Sequence, residues 1–135
     1  MRELTVEAAV ANTAAVLGFI DAQLEEAGCP IKVQTQIDVA VEEIFVNIAH
    51  YAYAPGKGEA TVGVEISGPD PMVTITFKDR GVPYDPTAKI DPDVTLSVEE
   101  REVGGLGIFM VKQLMDHMSY EYRDGQNVLH LQKKI

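Results

Sequence analysis

The stretch Asp38-Val39-Ala40-Val41-Glu42-Glu43-Ile44-Phe45-Val46-Asn47-Ile48-Ala49-His50 holds two side chains that could do chemistry together. Glu43 and Asn47 stand four positions apart, and His50 follows three later. On a helix that turns about 100° per residue these three share one stripe. Ile37, Val41, Ile44, Ile48 and Ala52 form a second stripe roughly 100–140° away, apolar and suited to lie on a sheet. Glu42 falls on neither. A carboxylate and an amide on a face that is not core can be a solvated helix surface. They can also be aimed into one cleft. There the amide oxygen suits Mg²⁺, a hard cation that takes oxygen ligands and keeps several waters. The carboxylate suits a general base acting on a water or a hydroxyl.

Two further motifs have the same character. In Phe77-Lys78-Asp79-Arg80-Gly81, Asp79 ends a strand-like run and Gly81 follows. A buried carboxylate there can accept a hydrogen bond from an exocyclic amine such as that of adenine, and Gly81 would let the ring approach the backbone. Asp and Gly are also ordinary turn formers. In Gly104-Gly105-Leu106-Gly107, glycines precede the apolar run Ile108-Phe109-Met110-Val111. Free N–H groups at a helix start, with the helix dipole, make an anion site, and glycines let phosphate oxygens reach them. A hinge ahead of a helix start is the plainer reading.

The elements that must position these residues follow from periodicity. Helix-like spacing of Val10, Ala14, Leu17 and Leu24 predicts a helix over Val6 to Ala27, stopped by Gly28-Cys29-Pro30. A second helix runs from Ile31 to Tyr53, with Ala54-Pro55-Gly56 as its stop. Val62, Val64 and Ile66 alternate with polar residues, as do Val73, Ile75 and Phe77, which predicts two strands with one buried face each. Ser67-Gly68-Pro69-Asp70-Pro71 joins them as a turn, so the pair reads as an antiparallel hairpin. From Asp79 to Gly104 no period is evident, and a connection of that length suggests a lid at about 80–104. A helix over Gly105 to Asp116 follows, then strands over Met118 to Arg123 and Asn127 to Lys133 around Asp124-Gly125. The expected fold is α+β, a two-layer sandwich of mostly antiparallel sheet with helices on one face.

With 135 residues the chain reads as one domain, 1–135. The net charge of −10 argues against nucleic acid as the ligand, since phosphate backbones need Lys and Arg. No apolar run approaches the roughly 20 residues of a membrane helix, and the N-terminus shows no signal-peptide pattern, so no membrane association and a cytoplasmic location are the expectation. The one cysteine, Cys29, excludes an internal disulfide and reads as packing.

Each motif is weak alone, but their order and spacing resemble the GHKL ATPase superfamily over nearly the whole chain. Glu43 and Asn47 match its N box, Asp79 and Gly81 its first glycine box, Gly105 and Gly107 its second. Within it, the sequence is most similar to stand-alone anti-sigma factor serine/threonine kinases of bacterial partner-switching systems. The resemblance implies ATP under the lid, Asp79 on adenine, Mg²⁺ on Asn47, and phosphates on the backbone from Gly104 through Gly105 and Leu106 to Gly107. It places Gly81 and His50 in the nucleotide-binding set, with Arg101 as the lid arginine. It implies Glu43 as the base that activates a hydroxyl of an anti-sigma-factor antagonist of the STAS type. A sigma factor or other regulator is then the sequestered target, and homodimers are common among relatives. The alternative is a non-catalytic module whose protein binding is gated by ATP or ADP.

Overall fold

Among the described residues, period-two alternation yields five strands: β1 (Arg2–Glu7), β2 (Glu59–Ser67), β3 (Met72–Asp79), β4 (His117–Arg123) and β5 (Gln126–Lys134). The computed structural model describes residues 1–88 and 105–135. The remainder of the expected lid, with Arg101 and Gly104, lies outside the described residues. All strand pairings are antiparallel, and the order across the sheet is β1-β2-β3-β5-β4. Asp124 and Gly125 turn the β4–β5 hairpin, both with positive φ.

Among the described residues, three α-helices pack on one face: α1 (Thr13–Glu26), α2 (Ile31–Tyr51) and α3 (Gly105–Leu114). Ile37, Val41, Ile44 and Phe45 of α2 bury against Val62, Ile75, Phe77 and Leu131 of the sheet. Each such side chain contributes roughly 1.5–3 kcal/mol by leaving water. The opposite face is polar and carries the bonds Thr76 to His130 and Gln132 to Thr74. No helix among the described residues is long and apolar enough to cross a membrane.

The first helix begins later than its periodicity suggests. Val6 belongs to β1, opposite Ala60, and the Ala8 N–H bonds Gly58 O at 2.8 Å. Sheet pairing outweighs local helical spacing here, and Val10 is left 49% exposed. The buried stripe of α1 is instead Val16, Ile20 and Leu24. Its end is a Schellman motif: Gly28 takes φ of +74°, with Cys29 N–H on Leu24 O and Gly28 N–H on Glu25 O. Cys29 is half-buried, and burial, then the Asp38 charge, raise its thiol above the ordinary value.

An acidic seam joins α1 to α2. Buried oxygens of Asp21 and Asp38 have no donor, and the Gln34 carboxamide beside them reaches Glu25 at 3.5 Å. Burial, the hydrogen bond to Asp21 and the Asp21 and Glu25 charges push the Asp38 carboxyl up to about 7. A shared proton satisfies the pair. A carboxyl held above its usual value stabilises the fold while protonated. That contribution is complete below the ordinary 3.8 and is lost as pH rises through about 7. Thermal denaturation of the wild type should therefore lose a few degrees between about pH 5 and pH 8 relative to Asp38→Asn, whose amide needs no proton. Parallel pH profiles would remove the shared proton from the account.

Candidate active site

α2, α3, β3, β4, β5 and the loop after β3 surround a cavity of about 470 Å³. Ile44, Ile48, Phe77, Val82, Ile108 and Leu129 give it apolar walls, and Asn47, Asp79, Tyr120 and Asn127 supply polar groups. Size and lining suit a flat, mostly apolar ring with a few polar edges.

Asp79 ends β3 inside this cavity and is 6% exposed. Its Oδ1 accepts two hydrogen bonds, from Gly81 N–H at 2.9 Å and from Asn127 Nδ2 at 2.9 Å. No described residue donates to Oδ2. Asn127 lies directly opposite on β5. Its Nδ2 also donates to Val82 O at 3.0 Å, and its Oδ1 accepts from Tyr84 N–H at 3.0 Å and from the Tyr120 hydroxyl at 2.5 Å. All four positions of the carboxamide are used, so its orientation is determined. Burial first of all raises the Tyr120 phenol, which keeps it a donor. The result is a carboxylate with one oxygen locked to the protein and the other turned to the cavity as an acceptor.

The loop carrying Gly81 is tied to the end of α2. Val82 N–H donates to Ala52 O at 2.8 Å. The Tyr53 hydroxyl accepts from Arg80 N–H at 2.7 Å and donates to Glu59 O at 2.5 Å. Burial is the main cause of the raised Tyr53 phenol. What comes close to Gly81 is the α2 backbone: a Cβ there would strike the Ala52 carbonyl, 2.5 Å from its carbon. That backbone cannot yield as a side chain tip can. Gly81→Ala should displace the loop, remove the N–H from Asp79, and lower Tm by several degrees in thermal denaturation. An unchanged Tm would show that the loop rearranges freely.

Asn47 lines the cavity, and no described residue bonds its side chain. Among the described residues no group of three or more His, Cys, Asp or Glu could hold a metal ion. The donor set fits Mg²⁺ that arrives with phosphates and keeps its waters, since Mg²⁺ needs few protein ligands in such sites. Glu43 is half-buried one turn before Asn47, beside the cavity rather than among its lining residues. Its Oε2 lies 2.5 Å from where a Cβ on Gly107 would stand. Gly105, Leu106 and Gly107 form the first turn of α3. His50 is exposed, packs edge-on against Tyr51 with ring centroids 5.9 Å apart, and does not line the cavity.

Asn127, Tyr120 and Tyr53 were not singled out by motif. Asn127 sits in Asp124-Gly125-Gln126-Asn127, where a polar residue reads as part of the turn. The available signal was its place at the head of an apolar strand, where Asn is disfavoured.

A family profile of the histidine kinase-like ATPase domain matches residues 6–133. The chain is 30% identical over 95 residues to the serine/threonine-protein kinase BtrW of Bordetella bronchiseptica, covering 70% of this chain and 66% of that protein. It is 30% identical over 95 residues to the serine-protein kinase RsbW of Bacillus cereus, covering 67% of this chain and 58% of that one. For RsbW of Listeria monocytogenes the figures are 27% over 107 residues, 76% and 68%. The matches thus span about three-fifths to two-thirds of these relatives' length.

Proposed function

Because the chain belongs to the histidine kinase-like ATPase domain family, we propose that it binds ATP in this cavity and transfers the γ-phosphoryl group to a serine or threonine of a partner protein. The observation that carries the reading is the buried Asp79 carboxylate in the cavity wall, with one oxygen held by Gly81 and Asn127 and no described donor on the other. It matches an exocyclic amine on a flat base. The similarity to serine and serine/threonine kinases supports the acceptor class.

Phosphoryl transfer asks a protein mainly for positioning and charge stabilisation. Asp79, held by Asn127 and Gly81, orients the base, and Ile48, Phe77 and Leu129 cover its faces. Asn47 offers its amide oxygen to Mg²⁺, which when bound neutralises phosphate charge. The backbone at the start of α3 faces the phosphates. Glu43 takes the proton of the incoming hydroxyl as its oxygen bonds to the γ-phosphorus and the bond to the ADP oxygen breaks. The products are a phosphorylated partner and ADP.

The proposed partner is an anti-sigma-factor antagonist of the STAS type. A phosphate adds a charge of about −2, which in an interface is disruptive. Phosphorylation would release the antagonist and free this chain to hold a sigma factor or another regulator. The test is calorimetric titration with ATP, with and without Mg²⁺, followed by transfer of labelled phosphate to an antagonist-like protein. The expected result is Mg²⁺-dependent binding and a label on serine or threonine. Absence of ATP binding overturns the reading. Binding without transfer makes the chain a nucleotide-gated binding module.

A further inference from the structure

The glycines ahead of α3 suit close approach, and the structure shows what approaches one of them. A Cβ at Gly107 would stand 2.5 Å from Glu43 Oε2 and 3.5 Å from Glu43 Cδ. Among the described residues, these two atoms of one carboxylate are the neighbours that this space meets. We propose that Gly107 is a positioning residue for Glu43: its missing side chain is the seat in which the carboxylate of α2 rests against α3. The proposal rests on the assignment of Glu43 as the base.

Glu43 is half-buried, and its carboxylate lies against the space that Gly107 leaves open. A long flexible acid without such a constraint samples several rotamers, at a cost in reactive geometry. The seat lies in the first turn of α3, where unsatisfied N–H groups and the helix dipole favour negative charge. Finally, Asn47 follows Glu43 by one turn on α2, and Ile108 follows Gly107 on α3, and both line the cavity. Seating Glu43 on Gly107 therefore holds the base at the edge of the nucleotide cavity. Gly107 serves the acid in this arrangement, whereas its sequence motif alone assigns it to phosphate.

Two readouts test this, one of them independent of activity. Gly→Ala in a helix normally raises stability through helix propensity. Here Gly107→Ala should leave Tm unchanged or lower, because the new methyl meets the carboxylate. In a Glu43→Ala background the same change should raise Tm by about 2 °C or more. Equal shifts in both backgrounds overturn the seat, as does a double variant that fails to fold. In phosphotransfer assays at saturating ATP, Gly107→Ala should lower kcat about 10-fold or more. With Glu43→Asp, one methylene shorter, Gly107→Ala should add little further loss. An unchanged kcat, or an equal further loss in the Glu43→Asp background, overturns the proposal. If the wild type transfers no phosphate, the kinase reading fails, and the thermal cycle still decides the seat.

Discussion

Asp79→Asn should weaken ATP binding by roughly 100-fold or more while the fold survives. The substitution keeps shape and removes charge. Gly81 N–H and Asn127 Nδ2 both donate to the inner oxygen, at 2.9 Å each. They hold the amide oxygen of an introduced Asn inward. Its NH₂ must then face the cavity, where the bound base presents an amine. Donor meets donor, so a charge-assisted bond is lost and a buried donor is left unpaired, each worth about 1–3 kcal/mol. Calorimetric titration of ATP against both proteins reads the affinity, and thermal denaturation checks the fold. Tight binding by Asp79→Asn would remove base recognition from Asp79, and with it the main support for the cavity as a nucleotide site. Asn127→Asp should imitate the defect by placing a second carboxylate against the first, although that residue only positions Asp79.

The second large effect concerns Glu43. Glu43→Gln should lower phosphoryl transfer to the partner about 10²- to 10⁴-fold, the usual contribution of a positioned general base. ATP affinity should stay within about twofold, because Glu43 lies beside the cavity and is not among its lining residues. Single-turnover transfer of labelled phosphate separates the two quantities. Gln keeps the length and the seat against Gly107 and removes only the proton acceptor. Wild-type transfer by Glu43→Gln would withdraw the base assignment and leave positioning alone to account for catalysis. A parallel loss of ATP affinity would place the carboxylate in binding instead.

The two effects separate because two helices and two strands divide the work. Asp79 depends on β3, β5 and the end of α2, through Asn127, Gly81 and Ala52. Glu43 depends on the contact of α2 with α3 at Gly107. The Asp21–Asp38 seam sits earlier on α2, against α1. Each site can therefore be altered with its own readout.

By itself, the sequence determined the element types wherever a period repeats over several turns or residues. The stripe Ile37, Val41 and Ile44 marked the face of α2 that meets the sheet, because burial follows the 3.6-residue repeat. The alternation of Val62, Val64, Val73, Ile75 and Phe77 marked one hairpin and its inward side, because strand side chains alternate. It also put Glu43 and Asn47 on one face and Asp79 at a strand end, since these are local facts. Only the tertiary structure decided what no local pattern holds. Val6 to Asn12 spaces its apolar residues like a helix, yet Val6 pairs with Ala60, because strand addition half-buries it against the core and satisfies its backbone. Asn127 reads as a turn residue until β5 aligns beside β3 and sets it against Asp79, 48 positions away. Gly81 and Gly107 read as room for a ligand, yet their neighbours are the Ala52 carbonyl and the Glu43 carboxylate. The physical reason is the same in each case. Periodicity records which side of an element is buried, while the identity of the group that arrives there depends on sheet order and helix packing across distant parts of the chain.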